Sequence, residues 1–210
     1  MPDLERRLSA VPLDRIQTPA PEIAGPLFEE LRFTAHNDDL RRLYAKLLGT
    51  AMDAETARLA HPSFVELLKQ LSPDEARIVR ELARELPRQP YVPAISVSSY
   101  DPTIPENSIR MRCFSLLAEY AECEHRDLVA AYAQNLIRLG ILTPEGQTTT
   151  PEKMYPPLES HPLVTEIAKR VIEEEGRRPR FERASLRVTE YGRAFLSACV
   201  SVPGAPPRAA

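Results

Sequence analysis

The sequence predicts a mainly helical chain, α+β overall: a multi-helix N-terminal layer and a C-terminal winged-helix-like unit with a small antiparallel β-hairpin. Apolar residues recur at helical spacing through most of the first 86 positions. The run NLIRLGIL at 135–142 reads as the end of an amphipathic helix, stopped at Gly140, and then a short apolar strand. The run LRVTEYGRAFL at 186–196 reads as a returning strand that turns into a helix. In a winged helix such strands pair beside the helix that enters a nucleic-acid groove. The expected organisation is a helical region over 1–90, the winged-helix-like region over 91–200 with an extra helix between the hairpin strands, and a disordered tail over 201–210. The two regions are expected to pack as one globular unit.

Taken in order, DLERRL is a short charged helix, and VPLDRIQTPAPEIAG is an extended leading strap because of its prolines. Helices follow at about 26–34 and 38–52, the second capped by Asn37 or Asp38. A third begins after His61-Pro62 and buries Phe64, Val65, Leu67, Leu68 and Leu71. Ser72-Pro73-Asp74-Glu75 has the pattern of a capping box and opens a helix to Leu86, with Arg77, Arg80, Glu81, Arg84 and Glu85 as a solvated face. The stretch 87–108 is irregular, with YVPAISVSSY briefly extended, and SIRMRCFSLLAEYAE resumes helical periodicity near 106–121. HRDLVAAYAQNLIRLG is the expected recognition helix, burying Leu128, Val129, Tyr132, Leu136 and Leu139, and the strand ILT follows. Residues 144–160 form a polar, proline-rich excursion. HPLVTEIAKRVIEEEG then makes a helix with Leu163, Val164, Ile167, Ala168, Val171 and Ile172 inward, before the strand FERASLRV and the helix EYGRAFLSACV. There is no internal repeat.

The 210 residues suffice for one large or two small domains, and 43% hydrophobic with 27% charged residues is a globular composition. Proline, at 21 residues against 7 glycines, is the punctuation. A net charge of −3 excludes a chain-wide nucleic-acid coat, so any phosphate contact must be local. Three cysteines, Cys113, Cys123 and Cys199, form no paired framework; they fit buried free thiols in a reducing, cytoplasmic setting. No run nears the roughly twenty apolar residues that cross a bilayer, so no membrane contact is expected from this chain.

Three blocks carry a family resemblance: LRRLYAKLLGTAMD at 40–53, HPSFVELLKQLSPDEARIV at 61–79, and NLIRLGIL with LRVTEYGRAFLSAC. Together they resemble the bacterial abortive-infection alpha family from about Val11 to Cys199, and HPSFVELLKQLSP is the most specific block because helix propensity does not require that run. The resemblance implies a part in defence against phage, in which an infected cell stops growing. Members often carry a longer, glycine-rich helical N-terminal portion that this chain lacks or has lost, which puts any membrane or toxic role of such a portion in doubt here. The resemblance brings no catalytic residues.

The strongest electrostatic feature is GRRPRFERASLRV, where Arg177, Arg178, Arg180, Arg183 and Arg187 crowd the expected wing. Arginine suits phosphate and narrow minor grooves. Arg126, Gln134 and Arg138 on the neighbouring helix join this candidate nucleic-acid surface but add little positive charge to it. The competing reading is a salt-bridged surface, with Glu173, Glu174 and Glu175 pairing internally with Arg177 and Arg178, and it stands first. A helical ribonuclease would need Arg, four to six residues, then His; Arg32 to His36 and Arg58 to His61 have the wrong spacing. Cys123, His125 and Cys113 lack the second ligand pair of a zinc site. His61 and His161 each precede proline and read as local helix starts. No carboxylate pair shares an apolar setting that would drive its pKa values apart. Neither catalytic residues nor a cofactor or metal are therefore assigned. The expected activity is non-enzymatic, through an unknown protein partner or homodimer, with weak DNA or RNA binding as the alternative and a ribonuclease-type toxin as the lesser one. Tyr100, Tyr155 and Leu158 are candidates for an exposed apolar contact patch.

Overall fold

Helical periodicity and caps place one helix of the N-terminal region where it was expected, over 38–52, whereas the helix before it takes in the end of the expected strap. The computed structural model describes residues 2–34, 36–85, 91–103, 108–146 and 151–200. The expected tail over 201–210 and Leu86, the expected end of the fifth helix, lie outside the described residues. The chain divides into two compact units, one of residues 1–84 with 190–210 and one of residues 85–189. The closing helix thus groups with the N-terminal unit, not with the region over 91–200 to which the sequence assigned it.

The first unit holds α1 (Pro2–Leu8), α2 (Pro21–Thr34), α3 (Asp38–Met52), α4 (Ser63–Leu68), α5 (Pro73–Glu85) and, last in the chain, α10 (Glu190–Cys199). α3 is its axis: Leu43, Tyr44, Leu47, Leu48 and Ala51 are buried against α1, α2, α4 and α10. Asn37 caps α3 by accepting from the Leu40 N–H at 3.0 Å. Gly49 lets the Arg7 side chain of α1 lie close against α3, since a Cβ there would be 2.5 Å from Arg7 Cδ and would push that side chain aside. α2 starts five residues before its expected beginning at 26, with Pro26 inside it; Ile23, Leu27 and Leu31, spaced by four, bury one stripe that holds the first turn despite the missing N–H. α5 opens on the expected capping box: the Ser72 N–H donates to Glu75 Oε2 at 2.7 Å and the Glu75 N–H to Ser72 Oγ at 3.2 Å.

The charged face of α5 is not merely solvated. Arg77 Nε and Arg80 Nη1 donate to the two oxygens of Asp39 at 2.7 and 2.6 Å, clamping α5 to α3. Partial burial would raise the Asp39 pKa, but these two arginines outweigh it and hold the carboxyl below its usual value. Phe64 of α4 meets Phe195 and Tyr191 of α10, each at 5.5 Å between ring centroids. His61 serves its local role, with Nδ1 accepting from the Ser63 N–H at 3.1 Å.

The second unit is built on a four-stranded antiparallel sheet: β1 (Tyr91–Tyr100), β2 (Ser108–Phe114), β3 (Leu142–Gly146) and β4 (Arg178–Val188), in the order β2-β1-β4-β3. With them come α6 (Leu117–Tyr120), α7 (Val129–Arg138), α8 (Pro156–Glu159) and α9 (Pro162–Glu173). The expected β3–β4 pairing is present, from Leu142 opposite Val188 to Gly146 opposite Ala184. It is two strands of a larger sheet, however, and not a separate hairpin, because β4 pairs along ten residues with β1. Of the segment expected to be helical near 106–121, residues 106 and 107 lie outside the described residues, only the single turn α6 is helical, and Ser108–Phe114 form β2. Its arginines alternate with Ile109 and Met111, a period of two that suits a strand.

Pro93 fits inside β1 because β2 begins to pair only at Ile95, leaving an open side where no N–H is needed. Gly140, at φ +73°, ends α7 in the left-handed conformation, and the Ile141 N–H reaches back to Leu136 O at 2.9 Å. Thr189 ties the β3–β4 end together, its Oγ1 donating to Gly140 O at 2.5 Å.

Burial corrects several expectations. Leu128 and Ile172, expected inward, are 45% and 56% exposed, since each lies one position off the buried stripe of its segment. Leu139, Leu163, Ile167 and Ala168 are half-buried. Tyr155 and Leu158, expected on an exposed patch, are buried, and Tyr100 is half-buried. The reason is that the proline-rich segment docks on the sheet, with Tyr155 Oη donating to Ala184 O at 3.0 Å. His161 caps α9, its Nδ1 accepting from the Leu163 N–H at 3.3 Å, and its ring lies 4.8 Å from that of Phe114.

One ionic clamp joins β2 to the end of α9. Arg110 Nε and Nη2 donate to Glu175 Oε1 and Oε2 at 2.6 and 2.7 Å, and Ser99 Oγ donates to Glu175 Oε2 at 2.6 Å. The Arg110 bonds first, then Ser99, lower the Glu175 pKa from 4.5 to about 2. A depressed carboxylate pKa stabilises the fold above the unfolded value and loses that effect as pH falls through the folded one. The stability difference between wild type and Glu175→Gln should therefore be full above pH ~4.5 and shrink toward pH ~2, read from urea midpoints across that range. In the first unit, Phe195→Ala should cost about 3–5 kcal/mol of unfolding free energy, whereas exposed Phe33→Ala should stay within about 0.5 kcal/mol. Urea denaturation of both variants checks the contrast.

Candidate functional site

Strand alternation sorts the basic stretch of β4 onto two faces. Arg178, Arg180 and Glu182 share a face with Ala184, Leu186 and Val188, while Phe181, Arg183, Ser185 and Arg187 share the other. The two arginines of the second set are structural. Arg183 donates to Glu159 through Nε at 2.6 Å and Nη2 at 3.0 Å, and to Glu152 through Nη1 at 2.6 Å. Its guanidinium also lies over the Tyr155 ring, 5.2 Å from the centroid. Arg187 donates to Glu145 of β3. Both arginines thus fasten neighbouring segments to β4.

The remaining candidates divide further. Arg177 is half-buried; it follows Gly176 at φ +63° and its N–H donates to Val171 O at 3.2 Å. Its charge acts on Asp101 and Glu175, the latter the carboxylate that Arg110 grips. Arg178 and Arg180 are exposed, and their side chains make no ion pair among the described residues. Around α7, Arg126 Nε donates to Cys123 O at 3.3 Å, Gln134 Nε2 to Ala130 O at 3.1 Å, and Arg138 to Asn135 Oδ1 through Nε at 3.0 Å and Nη2 at 2.7 Å.

What the fold brings together is a groove of about 450 Å³ between β2 and α7. Its walls are Ile109, Arg110, Met111 and Arg112 of β2 with Ala130 and Gln134 of α7. Of the eight residues expected to bind nucleic acid, Gln134 is the one that lines it. Arg110 and Arg112 were missed because their segment reads as helix; the signal that finds them is the alternation of Ile109 and Met111 with two arginines. Arg110 is spoken for by Glu175. Arg112 is exposed and makes no ion pair among the described residues.

Elsewhere, polarity is absorbed by packing. Burial pushes the Cys199 thiol well up and raises that of Cys113, so neither is held as the thiolate a nucleophile needs. Burial, and then the nearby Arg7, bring Lys46 down to about 8, and its Nζ donates to Thr50 Oγ1 at 3.4 Å. Thr50 Oγ1 itself donates toward Ala198 O at 2.9 Å, joining α3 to α10. Among the described residues, no three His, Cys, Asp or Glu side chains gather as metal ligands, and no helix is long and apolar enough to cross a membrane.

No curated protein matches the chain. Among solved structures, an uncharacterised protein from the hydrocarbon-degrading marine bacterium Alcanivorax borkumensis SK2 is similar at 16% identity, over 69% of this chain and 94% of that one, with a TM-score of 0.46. The model of the abortive infection alpha family matches residues 2–199. That match spans the three blocks from which the resemblance was drawn and both units of the fold, and the chain belongs to the abortive-infection alpha family.

Proposed function

We propose that this chain is a non-enzymatic component of an abortive-infection response to phage, acting through contact with a protein partner. Family membership supports the defence role. The observation that carries the mode of action is the internal neutralisation of the basic surface: Arg183 is held by Glu152 and Glu159, Arg187 by Glu145, and Arg110 by Glu175. Arginines spent on such pairs release few counterions from phosphate, so they add little to nucleic-acid affinity. Exposed apolar side chains such as Phe28, Phe33 and Tyr120 are the complementary resource for protein contact.

A second reading rests on Arg178 and Arg180, which share an exposed face of β4. In it the second unit is a winged-helix-like sensor of DNA or RNA, with α7 as recognition helix and β3 with β4 as wing. The run of α7 through Gly140 into β3, and the antiparallel return of β4, support that comparison. The broader sheet gives the wing a neighbour on its other side.

Two measurements separate the readings. Fluorescence anisotropy with labelled duplex DNA and single-stranded RNA should show no salt-sensitive binding for wild type. In a phage challenge, cells expressing the chain should form fewer plaques, and Arg178→Glu with Arg180→Glu should protect as well as wild type. Binding that weakens steeply with salt and is lost in that double variant would put the sensor first. Plaque counts equal to those of an empty control would overturn the defence role.

A further inference from the structure

β2 ends the sheet, and no other strand among the described residues pairs with its outer side. Half of the backbone N–H and C=O groups of an edge strand point outward, a ready template for one more strand. The opposite edge is poorly suited to this, because β3 has five residues and contains Pro144, which has no N–H to donate. β2 has seven residues and no proline.

The groove beside β2 has the geometry of an edge site. Successive strand residues point to opposite faces. Ile109, Arg110, Met111 and Arg112, four in a row, all line the groove, as a groove that follows the edge of the strand would have them do. The facing wall is α7, which contributes Ala130 and Gln134 four residues apart on the same helix face. A strand edge on one side and a helix on the other border an open groove of about 450 Å³.

We propose that this groove accepts an extended, acidic segment of a partner protein, added to β2 as a fifth strand. Backbone hydrogen bonds would supply affinity, and alternate side chains specificity. The six lining residues include two arginines and no carboxylate. Arg110 is engaged by Glu175, whereas Arg112 stands exposed to meet an incoming acidic group. Ile109, Met111 and Ala130 give apolar floor for the intervening side chains. The occupant is therefore a strand in which apolar and acidic residues alternate. A nucleic-acid strand fits less well, because none of the six lining residues offers an aromatic ring for base stacking. The proposal rests on the protein-contact reading above and gives that contact its place and chemistry.

The test uses the full chain and a fluorescein-labelled heptapeptide of alternating valine and glutamate, with a valine–lysine heptapeptide and labelled single-stranded RNA as comparisons. The acidic peptide should bind with salt-dependent affinity, at least about tenfold tighter than the lysine peptide. Arg112→Glu should weaken it about tenfold, and Ala130→Phe, which fills the groove, should abolish it. Amide hydrogen exchange across 108–114 should slow on binding. Thermal denaturation checks that both variants fold; if Ala130→Phe does not, the surface change Arg112→Glu carries the test. No binding at about 1 mM peptide, equal binding of the lysine peptide, indifference to both substitutions, or preference for RNA would each overturn the proposal. Phage challenge separates the two readings. Lost peptide binding with retained protection in Arg112→Glu would keep the groove as a peptide site and place the defence contact elsewhere. Protection by wild type that never binds the peptide would sink the groove and leave the protein-contact reading standing.

Discussion

The second unit depends on the pairing of β1 with β4, which runs without a break from Tyr91 opposite Arg187 to Tyr100 opposite Arg178. These partners lie far apart in sequence, so the chain must close a long loop before the ladder repays any of the entropy lost. Once it forms, it fixes everything beside it. β3 can only add outside β4, and β2 only outside β1. One face then receives Tyr155 and α9, through the Tyr155 hydroxyl on Ala184 and the His161 ring on Phe114, and that cover buries Ile95 and Val97 completely.

Arginine–carboxylate pairs then align the added segments. Glu145 belongs to β3, Glu152 and Glu159 to the segment around α8, and Glu175 to the end of α9; each meets an arginine of β4 or β2. Exposed pairs of this kind contribute little stability individually. Their geometry is nevertheless selective, because the forked guanidinium accepts a carboxylate only in the plane of both groups. Arg110 engages Glu175 through two nitrogens, and Arg183 engages Glu159 in the same way. The basic stretch of β4 thus acts as a row of fasteners for the segments that cross it. The same arrangement explains why a stretch so rich in arginine sits in a chain of net charge −3.

The helical parts of this organisation were legible in the sequence because their signals are local. Asn37 before Leu40, Ser72 with Glu75, and Gly140 after Arg138 each act within one turn, and each does in the structure what its residue type implies. The sheet was less legible. β1 is covered on both faces, so YVPAISVSSY shows no polar alternation, and Pro93 argues against a strand until the limited reach of β2 is known. β2 carries two irregularities in its pairing with β1, and Cys113 adopts φ +54°; such bulges blur an alternation that is otherwise present. The groove was hidden with β2. Of the candidate site residues, Gln134 was found because an exposed polar position on an amphipathic helix is readable, whereas the role of Arg112 depends on a strand edge that only tertiary pairing creates.

That edge also discriminates between a second copy of the chain and a different partner. Two β2 strands meeting antiparallel about Met111 would set Arg110 of one against Arg112 of the other. Centring the pair on Arg110 or on Arg112 instead would set that one arginine against its own copy. Like charges directly opposite across a strand pair are destabilising, and Glu175 already relieves Arg110 but not Arg112. Charge on an edge strand is a recognised guard against self-pairing. The placement of Arg112 therefore disfavours the self-pairings of β2 that are centred on Met111 or on Arg112. In the proposed groove, the charge that disfavours those self-pairings is the same charge that would favour an acidic strand, so one residue would serve both ends of the selectivity.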